Sequence, residues 1–259
     1  MRLARLGAGL SRTFEATWPP LLVFGGLVAT WQAAVMLTEV PTVVVPSPID
    51  VAAAAASSAP SLLGAGATTG TTAALGLFAG TVAGLCLAFA MAASLTAASL
   101  VYPYLVVLRV APLVAFAPLV FLWFGEGIAT RAAVVATLTT FPVAVASLDG
   151  LRSTPPAYLE LARSVGAPAH EIFLRVRVPA AAGSVFAGIK LAAAVSVTGT
   201  VVVEFLTLQG GLGTRVVRAS TALDTAGMFA ALFALAGLGL GFYAVPASIE
   251  RVACRPGNE

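Results

Sequence analysis

Side chains able to do chemistry are few and scattered in this 259-residue chain. It has one histidine, His170, and two cysteines, Cys86 and Cys254, far apart. They offer no metal-ligand spacing, no nucleophile–base constellation and no disulfide framework. Its only lysine, Lys190, does not belong to a Gly-x4-Gly-Lys-Ser/Thr phosphate loop, so the chain does not hold ATP in that way. What stands out instead is a run of capping and turn residues between positions 153 and 179. Thr154 is suited to cap a helix whose first turn accepts Pro155 and Pro156. Tyr158, Leu161, Ala162 and Val165 then fall at i, i+3, i+4 and i+7, one apolar stripe. Gly166 stands where a helix ends in a left-handed turn, Ala167 follows it, and Pro168 can begin another helix. In that second helix Ala169, Ile172, Phe173 and Val176 repeat the spacing, and Pro179 is expected to stop it. The chemistry implied is recognition, not bond-making: two short amphipathic helices presenting apolar faces. Periodicity alone fits a connector lying on lipid as well as a docking element.

Composition says what must position this loop. Apolar residues make up 59% of the chain and charged residues 10%, against about 45–50% and roughly 25% in soluble globular proteins; mean hydropathy is +0.98. So few charges cannot clothe a water-facing surface, which excludes a soluble enzyme and places the chain in a lipid bilayer. The net charge of +3 is too small to point to nucleic acid.

A membrane-crossing helix needs about 20 mostly apolar residues. Six such spans are expected: 20–37, 73–95, 100–124, 129–148, 183–206 and 226–249. Around them lie an N-terminal segment 1–19, an extracytoplasmic or interfacial segment 38–72, a short break at 96–99, the charged loop 149–182, an outer loop 207–225 and a tail 250–259. The Ala-, Ser-, Gly- and Thr-rich stretch 52–72 reads as surface-lying. The first span is too long for a signal-peptide core and reads as uncleaved. Arg2, Arg5, Arg12, Arg152, Arg163, Arg175, Arg177, Lys190, Arg251 and Arg255 fall on one side, and Arg131, Arg215 and Arg218 on the other. That asymmetry puts both termini and the 149–182 loop in the cytoplasm. Gly76, Gly80 and Gly84 share one face of the second span and read as helix packing. Trp31 and Trp123 read as interfacial anchors.

The spacing of the loop, Glu160-Leu161-Ala162, three residues, Gly166, nine residues, Val176, one residue, Val178-Pro179, resembles the signature EAA loop of ABC-importer permeases. Leu161, Val176 and Val178 depart from the usual Ala, Ile and Leu, all staying apolar. Val45-Pro46-Ser47-Pro48 is similar to that family's entry to the permease domain. The stretch from Ala111-Pro112 to Pro118-Leu119, followed by Trp123-Phe124-Gly125, resembles its third-span pattern, and Glu204 with Gly211-Leu212-Gly213 resembles the end of its fifth. Together these resemble the nitrate/sulfonate/taurine-like branch of binding-protein-dependent permeases, although no arginine stands in 69–75, before the second span.

That resemblance implies a type I importer permease: an all-α polytopic membrane protein with one permease domain over about 70–250 and a cytoplasmic coupling-helix loop between spans four and five. It implies partner ABC ATPase subunits carrying ATP and Mg, a second permease copy or paralogue, and an extracytoplasmic binding protein that delivers a small solute. Cargoes of the branch include nitrate, sulfonates, taurine, cyanate and pyrimidine vitamin precursors. The chain itself would be no enzyme and would need no cofactor or metal. Tyr158, Glu160, Leu161, Ala162, Val165, Gly166, Ala167, Phe173 and Pro179 would seat the ATPase. Glu160 either makes a polar contact or supports the first helical turn through the dipole. Intramembrane ionisable groups are costly and mark function by default. Arg109 and Glu204, with the helix-disturbing Pro112 and Pro118, are therefore translocation-pathway candidates. The alternative for the pair is Arg109 snorkelling to the headgroups and Glu204 at the interface. A secondary transporter driven by an ion gradient is the competing function, but it calls for coupling carboxylates or histidines near the bilayer centre, of which the spans offer almost none. A membrane-embedded enzyme lacks its catalytic cluster.

Overall fold

The computed structural model describes residues 22–38, 40–110 and 113–254, and among these every regular element is a helix. In chain order they are α1 (Leu22–Thr38), α2 (Pro48–Ser57), α3 (Ala59–Ala93), α4 (Leu95–Val110), α5 (Leu113–Phe124) and α6 (Ile128–Arg152). After them come α7 (Pro156–Ser164), α8 (Ala169–Ile172), a π-helical turn (Phe173–Arg177), α9 (Val178–Ala180), α10 (Ala182–Thr207), α11 (Leu212–Thr221) and α12 (Thr225–Ala253). α3, α6, α10 and α12 are long and apolar enough to cross a membrane, and Leu22–Thr38, Leu95–Arg109 and Ala115–Phe124 are shorter apolar helices. This is an all-helical, polytopic membrane fold.

Several boundaries differ from the sequence reading, each for a local reason. The stretch 52–72 does not form one surface-lying segment, because α3 runs unbroken from Ala59 to Ala93. Its 35 residues reach about 50 Å at 1.5 Å per residue, well beyond a hydrocarbon core of about 30 Å. Ahead of it, α2 starts at a capping box: Ser47 Oγ accepts from the Asp50 N–H at 3.2 Å while the Ser47 N–H donates to the Asp50 carboxylate at 3.1 Å. The break placed at 96–99 lies at Ser94, whose hydroxyl accepts from the Ala97 N–H at 3.2 Å and so caps α4. The third span, 100–124, is two helices, α4 and α5; Pro112 lies outside the described residues.

The chain divides into two compact units, Met1–Ala59 with Arg218–Ala230, and Pro60–Val217 with Ala231–Glu259. In the first, Asp224 caps α12 by accepting from the Gly227 N–H at 2.9 Å, and the Thr225 hydroxyl donates to the Val43 carbonyl. Trp31 stacks, tilted, on Phe229 with ring centres 5.6 Å apart.

The second unit is organised around α6. Over its most apolar stretch α6 is 56% buried against 11% for α12, which makes it the central helix. Glycines allow this. A Cβ at Gly76 would meet Val135 at 2.5 Å, and one at Gly84 would meet the Thr140 carbonyl at 2.8 Å. Gly80 abuts Thr139 of α6, whose hydroxyl donates to the Gly76 carbonyl at 3.1 Å. α10 lies against the other side, with Gly188 against Pro142 and Ala146, Gly199 against Leu138 and Gly150 of α6 against Ser184. In a bilayer there is no hydrophobic drive between helices, so such close backbone approach supplies the packing energy. Ala88, Met91, Ala98, Leu105, Ala144 and Leu148 fill the space among α3, α4 and α6. Ala117, Phe121, Val134, Val135 and Val203 fill that among α5, α6 and α10.

Candidate functional site

The 153–179 loop is built on the stems of α6 and α10. α7 begins at Pro156 with Pro155 as its cap residue and no side-chain cap bond. Thr154 does not cap it. Thr154 is buried, and its hydroxyl donates back to the Leu151 carbonyl of α6 at 3.4 Å. A backbone preceding proline is held out of the helical region, which moves the start of α7 beyond Thr154.

The end of α7 is defined by backbone bonds. The Gly166 N–H donates to the Arg163 carbonyl at 3.0 Å and the Ala167 N–H to the Ala162 carbonyl at 3.1 Å. This paired arrangement is a Schellman motif, which needs a left-handed residue after the cap. Gly166 supplies it, at φ +76°. No residue of α7 is buried. Tyr158, Leu161 and Val165 are 58%, 66% and 76% exposed, so this part of the apolar stripe faces outward among the described residues. Glu160 is exposed and Ala162 half-buried.

The second part of the loop departs from the expected helix. Only Ala169–Ile172 is α-helical; Phe173–Arg177 widens into a π turn, and Pro179 sits inside the following helical turn without stopping it. Proline lacks the N–H that would continue the ladder, and in the first turn of a helix that loss is tolerated. The chain therefore passes into α10 with Ala181 still in helical conformation. Phe173 is half-buried and meets Phe89 of α3 edge to face, ring centres 5.8 Å apart. Leu174 is 61% exposed, extending the outward apolar surface. Glu171 and Arg175 form an exposed ion pair at 3.3 Å.

The intramembrane candidates separate. Arg109 is exposed and lies over the Phe141 ring, 4.9 Å from its centre, a cation–π contact. Pro118 lies inside α5 at an exposed position. Glu204 is not at an open surface: it is fully buried, near the end of α10. The Thr69 hydroxyl of α3 donates to its two carboxylate oxygens at 2.8 and 3.1 Å, and the Gly213 N–H of α11 donates at 2.8 Å. Thr69 in turn accepts from the Leu212 N–H at 2.9 Å. Gly211, at φ +93°, lies flush against the carboxylate, where any Cβ would overlap it. Arg109 and Glu204 do not pair.

Arg131, placed by the sequence reading on the side opposite the termini at the start of the fourth span, is 7% exposed on α6. It donates to the Gln209 carbonyl at 3.3 Å, and the Gln209 amide donates to Glu126 at 2.7 Å. Its charge at the start of a span was the only local signal of a buried role. Lys190 of α10 pairs with Glu250 of α12 at 2.5 Å. An open groove of about 670 Å³ among α3, α10 and α12 is lined by Leu77, Phe78, Leu238, Phe242, Pro246 and Ile249 among others, and carries no charged side chain.

These features meet a known pattern. The family model described as binding-protein-dependent transport system inner membrane component matches residues 74–251. The chain is 34% identical over 224 residues to a probable ABC transporter permease protein of Haemophilus influenzae, covering 86% of this chain and 91% of that one. It is also 34% identical over 238 residues to the formylaminopyrimidine transport permease protein ThiX of Halalkalibacterium halodurans, covering 91% and 94%. Among solved structures it resembles one described as an amino acid ABC transporter with histidines, with a TM-score of 0.61, 20% identity, and coverage of 76% of this chain and 96% of that one. That last likeness is one of fold.

Proposed function

This chain belongs to the family of binding-protein-dependent transport system inner membrane components, and on that premise we propose that it is the pathway-forming permease of an ATP-driven importer. The observation that carries the proposal is the outward stripe of Tyr158, Leu161 and Val165 on α7, held by the Gly166 turn. Exposed apolar side chains on a loop between two membrane helices favour a protein partner. An amphipathic helix laid in a groove is a recurring way to take one. The partner is an ABC ATPase subunit, which binds ATP and Mg and hydrolyses the nucleotide, so the permease need not be a catalyst. Glu160, Ala162, Ala167, Phe173 and Pro179 shape the same surface. The loop and both termini lie in the cytoplasm, following the arginine and lysine asymmetry.

Two permease chains, identical or paralogous, enclose the pathway. The slight burial of α12 and the apolar groove among α3, α10 and α12 leave apolar surface that a second chain can cover. Arg109, Pro118 and Pro112 stand as pathway candidates, whereas the enclosure of Glu204 keeps it from the wall of the pathway. A binding protein delivers the solute at the outer face. Similarity to ThiX over nearly the whole chain favours the vitamin-precursor class, a small pyrimidine, over the oxyanions of the nitrate/sulfonate/taurine-like branch.

Purification of the tagged chain from its native membrane in mild detergent tests this. A P-loop ATPase is expected in stoichiometric amount, photo-crosslinkable from position 161. A chain that stays alone after crosslinking, and that transports on an ion gradient without ATP, overturns the proposal.

A further inference from the structure

The buried carboxylate of Glu204 does more than fill a space, because the groups bound to it and to Thr69 come from three helices. Thr69 comes from α3, Glu204 from α10, and Leu212 and Gly213 from the first turn of α11. The N–H groups of a helix's first turn have no partners within the helix. Here those of Leu212 and Gly213 are taken by Thr69 and Glu204. Glu204 thus caps α11 from a neighbouring helix, its carboxyl oxygen accepting at the N-terminal end of α11. The turn between α10 and α11 closes around it. Leu208 is left-handed at φ 51° and its N–H donates to the Glu204 carbonyl at 2.9 Å, while Gly211 and Gly213 leave no room for side chains against the carboxylate.

The other end of α10 emerges from the 153–179 loop, and its length is seated against α6 through Gly150, Gly188 and Gly199. The loop, the α6–α10 pair and the α11 turn are therefore linked in series by close backbone contacts and one buried carboxylate.

We propose that Glu204 is the positioning residue that couples α10 to α11, so that displacement of the cytoplasmic loop reaches the outer surface that receives the binding protein. This rests on the importer reading above. Thr69 acts with Glu204, its hydroxyl donating a hydrogen bond to the carboxylate and accepting one from the Leu212 N–H of α11.

The test uses the assembled transporter of permease and ATPase in nanodiscs, with and without loaded binding protein. Glu204→Gln and Thr69→Val are expected to co-purify with the ATPase as the unaltered chain does. Their stimulation of ATP hydrolysis by the binding protein should fall about fivefold or more. Thr69→Ser keeps the hydroxyl and should restore it. Unchanged stimulation in Glu204→Gln or Thr69→Val overturns the proposal. So does loss of the folded chain in both, since the carboxylate is then a structural part only. If Glu204→Gln alone fails to fold, the contrast between Thr69→Val and Thr69→Ser decides. An unaltered chain that binds no ATPase, or is not stimulated at all, instead overturns the importer reading, and this inference falls with it.

Discussion

Gly150 of α6 and Ser184 of α10 stand so close that a Cβ added to Gly150 would lie 2.6 Å from the Ser184 Cβ. The two residues flank the 153–179 loop, so the loop's stems are clamped where they leave the helical pair. One turn further along α10, Gly188 continues the clamp, with its Cβ position 3.0 Å from the Pro142 carbonyl of α6. Sequence spacing offers no hint of either contact.

Gly150→Val and Gly188→Val should each destabilise the chain, because backbone and a short serine cannot yield as a flexible side chain would. Overpacking of this kind costs about 1–3 kcal/mol. Thermal melting in detergent should show a lower midpoint for both. Gly183→Ala is the control: nothing lies within 4 Å of its Cβ position, and alanine in a helix should leave the midpoint unchanged or raise it. Equal loss in all three would dismiss the clamp.

At Gly166 the backbone itself, not space, is limiting, since no atom lies within 4 Å of the Cβ position but φ is +76°. Left-handed backbone costs an ordinary residue about 1–2 kcal/mol, and asparagine tolerates it best. Gly166→Val should therefore open the Schellman turn, expose α7 to limited proteolysis and reduce uptake, with Gly166→Asn intermediate. Identical behaviour of the two variants would show that the turn's conformation is not what matters.

Leu161→Asp tests the docking stripe. Leu161 is 66% exposed, so folding stability should move by no more than about 0.5 kcal/mol. ATPase association, measured by titration in nanodiscs, should weaken about tenfold or more if Leu161 anchors the partner. A charged residue here without effect would move the contact elsewhere on the loop.

Lys190 and Glu250 join α10 to α12, where little else of α12 is buried. Lys190→Gln and Glu250→Gln should lower the melting midpoint by similar amounts, and the double variant should fall little further. A double-mutant cycle reads this directly. Full additivity would mean that the two groups do not support each other.

The 153–179 loop was largely legible because its signals are local. A glycine at C′ and prolines at helix starts act on backbone within a few residues, so Gly166 and Pro168 fall where their types require. Thr154 and Pro179 were misread for the same kind of reason. Proline's restriction on its predecessor outweighs a capping hydroxyl, and a proline in the first turn of a helix does not end it. Ser94, one short polar residue between two apolar runs, marks the true break between α3 and α4 more sharply than hydropathy does.

By itself the sequence determined the solvent and the class. With 10% charged residues the chain belongs in lipid, where the backbone must satisfy its own hydrogen bonds, and apolar runs of about 20 residues do so as helices. It also determined the loop's amphipathic stripe and turn, which depend on neighbours in the chain. Only the tertiary structure decided the fate of the ionisable groups. Glu204 is enclosed because Thr69, 135 residues away, reaches it from α3, and Arg109 remains outside on the Phe141 ring. The physical reason is that secondary structure answers to local backbone preferences. The solvation of a charge answers to every dipole within a few ångströms, and those are assembled only when distant helices meet.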